Sequence, residues 1–106
     1  MPRRENKDMP KVLSGFLYSD AGSFAVGSPA WSDWVIGTTA FYFESPVGTF
    51  TARKELRSGS WYWYAYRKRA GRLSKLYLGK SEELTNERLA KVAQLLERRV
   101  SERDST

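Results

Sequence analysis

Residues 61–69 alternate between two kinds of side chain: Trp61, Trp63 and Ala65 form one set, and Tyr62, Tyr64, Tyr66 and Lys68 the other. A period of two marks a β-strand with one buried face and one wet face. The spacing predicts a strand over Trp61–Arg69, a turn at Ala70-Gly71 and a last strand over Arg72–Leu78, where Leu76 and Leu78 oppose Lys75 and Tyr77. Upstream, Thr49–Leu56 reads as a third strand, joined through Arg57-Ser58-Gly59-Ser60, with Ala52 and Leu56 inward and Arg53, Glu55 and Arg57 outward. Lys54 breaks this pattern and is expected to snorkel from a sheet edge.

Past residue 84 the period lengthens. Leu89, Val92, Leu96 and Val100 recur every three or four residues, the apolar stripe of an amphipathic helix. Thr85 fits its N-cap, Glu87 its first turn, Leu84 and Leu89 a hydrophobic staple, and Arg98, Arg99 and Arg103 its negative pole. In the first half, Lys11–Ser19 and Ser23–Val26 read as strands separated by the turn Asp20-Ala21-Gly22. Ser28-Pro29 caps a helix of two to three turns that shows Trp31, Trp34 and Val35 on one face and stops at Gly37. Ala40–Glu44 is a further strand, turning through Ser45-Pro46-Val47-Gly48.

The expected class is therefore α+β: a three-stranded antiparallel sheet packed on a C-terminal helix, preceded by short strands and a short helix that complete one small domain. That domain is expected over residues 11–106, with its sheet-plus-helix core at 49–100, behind a flexible basic arm at 1–10. The purely apolar positions belong under the helix. Arg53, Arg57, Tyr62, Tyr64, Tyr66, Lys68, Lys75 and Tyr77 then line an open face, with Arg67, Arg69 and Arg72 clustered at the adjoining turn and Lys80 just beyond.

Charge sharpens this picture. The chain carries a net charge of +6, but residues 50–80 hold all of the excess: nine cations stand there against Glu55 alone. A localised basic patch is the electrostatic footprint of a polyanion partner. Histidine and cysteine are both absent, which excludes a Ser-His-Asp triad, thiolate chemistry and His- or Cys-based metal sites. Glu82-Glu83 and Glu87 are more simply a solvated helix start than a catalytic pair, so no enzyme, catalytic residue, cofactor or metal is expected. The Leu78-Gly79-Lys80-Ser81 string lacks the glycine a phosphate-binding loop needs, since Ser74 stands there. No apolar run reaches eighteen residues and no signal-peptide pattern opens the chain; a cytoplasmic, nucleoid-associated protein without membrane contact is expected.

Trp61-Tyr62-Trp63-Tyr64-Ala65-Tyr66-Arg67, Gly71-Arg72 and Lys75-Leu76-Tyr77-Leu78-Gly79-Lys80-Ser81, with Leu84 and Leu89, resemble a segment near the amino terminus of large LuxR/MalT-type ATP-dependent transcriptional regulators. Gly27-Ser28-Pro29-Ala30-Trp31, Trp34 and Phe41 to Phe43 extend the likeness, which spans most of residues 27–96. The chain has neither the ATPase core nor the helix-turn-helix of those regulators. In architecture it resembles the AP2 domain and the arm-binding domains of tyrosine recombinases, which set a three-stranded sheet into the DNA major groove. That resemblance implies base or backbone contacts from Tyr62, Tyr64, Lys68, Lys75 and Tyr77.

The leading expectation is a small protein that binds double-stranded DNA through this face, a transcriptional regulator or a module derived from one. The alternatives are an RNA or single-strand binder that stacks bases on the tyrosines, and a protein–protein interaction module, including a homodimer. A blander arrangement would bury the tyrosines as a second core layer beneath the N-terminal half.

Overall fold

The computed structural model describes residues 9–20 and 22–104, the side chains of Arg69 and residues 99–104 excepted. The expected arm at 1–10 lies largely outside the described residues, as do the side chains of Val100, Arg99 and Arg103.

Seven strands form one sheet: β1 (Lys11–Leu13), β2 (Phe16–Ser19), β3 (Gly22–Ala25), β4 (Ala40–Ser45), β5 (Gly48–Arg57), β6 (Ser60–Arg69) and β7 (Arg72–Gly79). Their order across the sheet is β3-β2-β1-β4-β5-β6-β7. Helix α1 (Pro29–Gly37) joins β3 to β4, and a 3₁₀ turn (Ser81–Glu83) leads from β7 into α2 (Asn86–Asp104). The class is α+β, as expected, but the sheet is larger than three antiparallel strands. It is also mixed, because β1 runs parallel to β4 with Val12 opposite Phe43. Among the described residues, the N-terminal half thus extends the sheet sideways and does not cover its tyrosine face.

The expected strand Lys11–Ser19 is instead a hairpin. Ser14 and Gly15 have φ of 54° and 83°, and the same paired positive values recur at Ser58-Gly59 and Ala70-Gly71. Two such residues in succession make the type I′ turn whose twist matches flanking strands, and glycine takes its second position without steric cost.

Both helices pack on one face. Val12, Leu17, Phe41, Phe43, Phe50, Ala52, Trp63, Ala65 and Leu78 from the sheet meet Trp31 and Val35 of α1 and Leu89, Val92, Ala93 and Leu96 of α2 in a single buried cluster. The predicted caps are in place. Ser28 Oγ accepts from Trp31 N at 3.2 Å, and Thr85 Oγ1 accepts from Arg88 N at 3.1 Å. Two indoles fasten the connection between β7 and α2: Trp31 Nε1 donates to the Leu84 carbonyl and Trp63 Nε1 to Ser81 Oγ, each at 3.0 Å.

Helical cover stops short of the β5–β6 hairpin tip. Leu56 and Trp61, expected to be buried, point to the helix side but remain 57% and 50% exposed. Lys54 does not sit at a sheet edge: β5 is central, and the Lys54 amine donates to the Ile36 carbonyl in the last turn of α1 at 2.8 Å. The ammonium lies 5.7 Å and 5.5 Å from the Trp61 and Trp63 rings. A cation at the negative pole of a helix, laid over indoles, accounts for a lysine on this side. Partial burial lowers its pKa.

At Gly48 the backbone of α2 comes close to the sheet. A Cβ there would stand 2.9 Å from the Ala93 carbonyl oxygen, and its φ is 155°. Gly48→Ala is expected to lower stability by about 1–3 kcal/mol, the usual range for overpacking, because backbone and not a yielding side chain is in the way. A thermal melt checks this.

Among the described residues no helix is long and apolar enough to cross a membrane.

Candidate nucleic-acid interface

Alternation on three strands and their pairing build the open face. Across β5, β6 and β7, Arg53 stands opposite Tyr64 and Tyr64 opposite Tyr77, while Tyr66 lies between Thr51 and Lys75. A register shift at Trp63/Tyr64 brings Gly79 opposite Trp63. Leu78 and Gly79 are both buried, while Tyr77 stays on the open face beside Tyr62 and Tyr64.

The tyrosine rings carry cations. Lys75 Nζ lies 4.4 Å from the Tyr64 centroid and 5.4 Å from that of Tyr66, and the Arg57 guanidinium is 5.3 Å from Tyr64. Lys80 Nζ is 5.8 Å from Tyr62. The ring faces attract these cations through their quadrupoles.

Glu55 sits at the centre of this face, and it was not expected to matter. Its carboxylate accepts from the Tyr66 hydroxyl, from Arg57 Nη2 at 2.7 Å and from Lys75 Nζ at 3.3 Å. The Tyr66 hydrogen bond first, then Arg57 and Lys75, hold its carboxyl well below the usual carboxylate range. Reciprocally, Lys75 is raised, first through Tyr66 and then through Glu55, and Tyr66 is raised by burial and by Glu55.

Charge is uneven along the sheet. On the β5–β7 side Arg53, Arg57, Lys68 and Lys75 face outward around Glu55, the one outward carboxylate of these strands among the described residues, and Lys80 and Glu83 stand near Tyr77 at the rim. On the β1–β2 side the open face is apolar, with Leu13, Phe16 and Tyr18 exposed, and Lys11 is paired with Glu44 at 3.4 Å.

No protein family, no curated protein and no solved structure matches this chain.

Of the residues expected on the basic face, Arg53, Arg57, Tyr62, Tyr64, Tyr66, Lys68, Lys75 and Tyr77 share it, with Lys80 over its rim. Arg72 is exposed at the β6–β7 turn. Arg67 is not part of that cluster. It follows Trp63 and Ala65 onto the helix side, where its Nη1 reaches Glu97 Oε1 of α2 at 2.6 Å with the side chain 17% exposed. The backbone of Arg69 pairs with Arg72, and its side chain lies outside the described residues. Tyr42, Thr51 and Lys11 join the face from outside the expected set. Tyr42 of β4 stands opposite Thr51, and Thr51 opposite Tyr66, so a row Lys11–Tyr42–Thr51–Tyr66–Lys75 crosses five strands. Alternation gave the signal: Tyr42 lies between the buried Phe41 and Phe43, and Thr51 precedes the buried Ala52.

Proposed function

We propose that the protein is a DNA-binding module, a transcriptional regulator or a part derived from one, that presents the open face of β5–β7 to duplex DNA. One observation carries this reading: Tyr62, Tyr64, Tyr66 and Tyr77 share the open face with Arg53, Arg57, Lys68 and Lys75, while Trp63, Ala65 and Leu78 pack under the helices. Lysine and arginine neutralise phosphates and release counterions, and arginine also pairs with guanine edges. Three adjacent strands span about 10 Å, close to the ~12 Å width of the major groove. Tyr62, Tyr64 and Tyr66 have cations at their rings, which favours a duplex over single strands: stacking a base would first displace Lys75, Arg57 or Lys80.

The test is fluorescence anisotropy with a random-sequence duplex at two salt concentrations, with single-stranded DNA and RNA as competitors. Log affinity is expected to fall against log salt with a slope of about −0.9 per phosphate contacted. Single strands are expected to compete poorly. Stronger competition by single strands would transfer the face to the stacking class, and no binding at low salt would refute the proposal.

A further inference from the structure

The row across the sheet has a low point. Thr51 is a short side chain between two tyrosines whose strands lie about 10 Å apart, two strand spacings. Three adjoining depressions of about 470, 370 and 470 Å³ all have Thr51 on their wall. All three are shallow and open to solvent, a shape that admits the oxygens of a surface-bound anion but does not enclose a ligand. Tyr42 lines the first two, and Arg53 and Lys68 together line the third.

The groups around this trough are donors. Arg53 and Lys68 have no carboxylate partner among the described residues, unlike Arg57 and Lys75, which Glu55 engages, and Lys11, which Glu44 engages. The Tyr42 and Thr51 hydroxyls have no hydrogen-bond partner among the described residues either. Two uncompensated cations and two open hydroxyls, distributed over three depressions that share Thr51, form a set that an oxyanion satisfies, since each oxygen accepts from several directions.

We infer that the Thr51 trough is a phosphate-binding site, with the anion held between Arg53 and Lys68 and oriented by the Tyr42 and Thr51 hydroxyls. For a phosphodiester this rests on the DNA-binding reading and deepens it. It adds a second anchoring point at the β4–β5 border to the tyrosine–lysine cluster, and it gives the N-terminal half a part in binding through Tyr42. A free nucleotide phosphate has the same chemistry and is the other source.

The experiment follows backbone amides by NMR while ¹⁵N-labelled protein is titrated with a 16-base-pair duplex, with a nucleoside monophosphate and with inorganic phosphate. Arg53→Gln, Tyr42→Phe and Lys75→Gln are titrated beside the parent. Each changes an outward side chain, and a melt confirms the fold. The duplex is expected to shift the Thr51 amide. Arg53→Gln is expected to weaken duplex binding about ten-fold and to reduce the salt slope by about 0.9, one phosphate contact. Tyr42→Phe is expected to weaken it about ten-fold, the scale of one lost hydrogen bond to a charged acceptor, with the slope unchanged. If Arg53→Gln and Tyr42→Phe bind as the parent does while Lys75→Gln binds weakly, the trough is overturned and the DNA-binding reading stands. If no duplex binds but the free phosphates shift Thr51 in the parent and not in Arg53→Gln, the trough stands and the DNA-binding reading falls. No shift at Thr51 with any of the three overturns the site.

Discussion

Replacing Trp63 by alanine is expected to bring the domain to the edge of unfolding. The side chain is fully buried, packs against Phe41 with ring centroids 5.2 Å apart, and donates its indole N–H to Ser81 Oγ at 3.0 Å. Truncating a buried tryptophan costs about 3–5 kcal/mol, against a total of about 5–15 for a domain of this kind. The hydroxyl of Ser81 is also left without its donor, at the point where the chain turns from β7 toward α2. Trp63→Phe keeps most of the apolar contact and loses the hydrogen bond, so it is expected to melt between parent and alanine variant. The neighbouring residue is expected to behave in the opposite way. Tyr64 points to solvent and contacts Tyr77 edge-on at 5.7 Å. Tyr64→Ala is expected to cost about 1 kcal/mol or less in a melt, yet to weaken duplex binding, because Lys75 and Arg57 lose the ring that holds them. Melting and anisotropy on the two variants check this. Equal effects of both substitutions on stability would mean that the two faces of β6 are not distinct.

That contrast was legible in the sequence because it depends only on alternation within one strand. The same rule, carried two residues further, puts Arg67 with Trp63 and Ala65, and the structure places it beside Glu97 of α2. Grouping Arg67 with Arg69 and Arg72 at the adjoining turn obscured its parity. Tyr42 and Thr51 were readable in the same way, but charge drew the eye to the basic stretch. The width of the sheet was not readable. The parallel contact of β1 with β4 closes over a hairpin and a helix, and no local pattern announces a pairing so distant in sequence. The β1–β2 turn was hidden for a different reason: strands of three and four residues are too short for a period to show, and Ser14-Gly15 was the only mark. Glu55 was counted as one negative charge among nine positive ones. Its place at the centre of the donors emerged only when three strands were brought into register.

Neutralising Lys75 is expected to weaken duplex binding by about a hundred-fold, more than the loss of one phosphate contact, which is worth about ten-fold. The excess comes from Glu55. In the parent its carboxylate is shared by Tyr66, Arg57 and Lys75; in Lys75→Gln one cation is gone and the negative charge faces the incoming backbone with less cover. Glu55→Gln alone is expected to tighten binding, and combined with Lys75→Gln it is expected to recover about ten-fold, a coupling between neighbours that a double-mutant cycle measures. Simple additivity of the two substitutions would show that Glu55 does not act through Lys75. The coupling is expected to be flat between pH 5 and 8. Glu55 has a lowered pKa, so its carboxylate is ionised throughout that window, and Tyr66 and Lys75 are raised and keep their protons. A lowered carboxylate pKa contributes stability above its unfolded value, and that contribution fades only as the pH falls toward the folded value. The donors around Glu55 therefore come apart in acid, below the range in which the face binds. A carboxyl ¹³C titration of Glu55 reads this directly: an ordinary midpoint near pH 4 would show that Tyr66, Arg57 and Lys75 do not hold it.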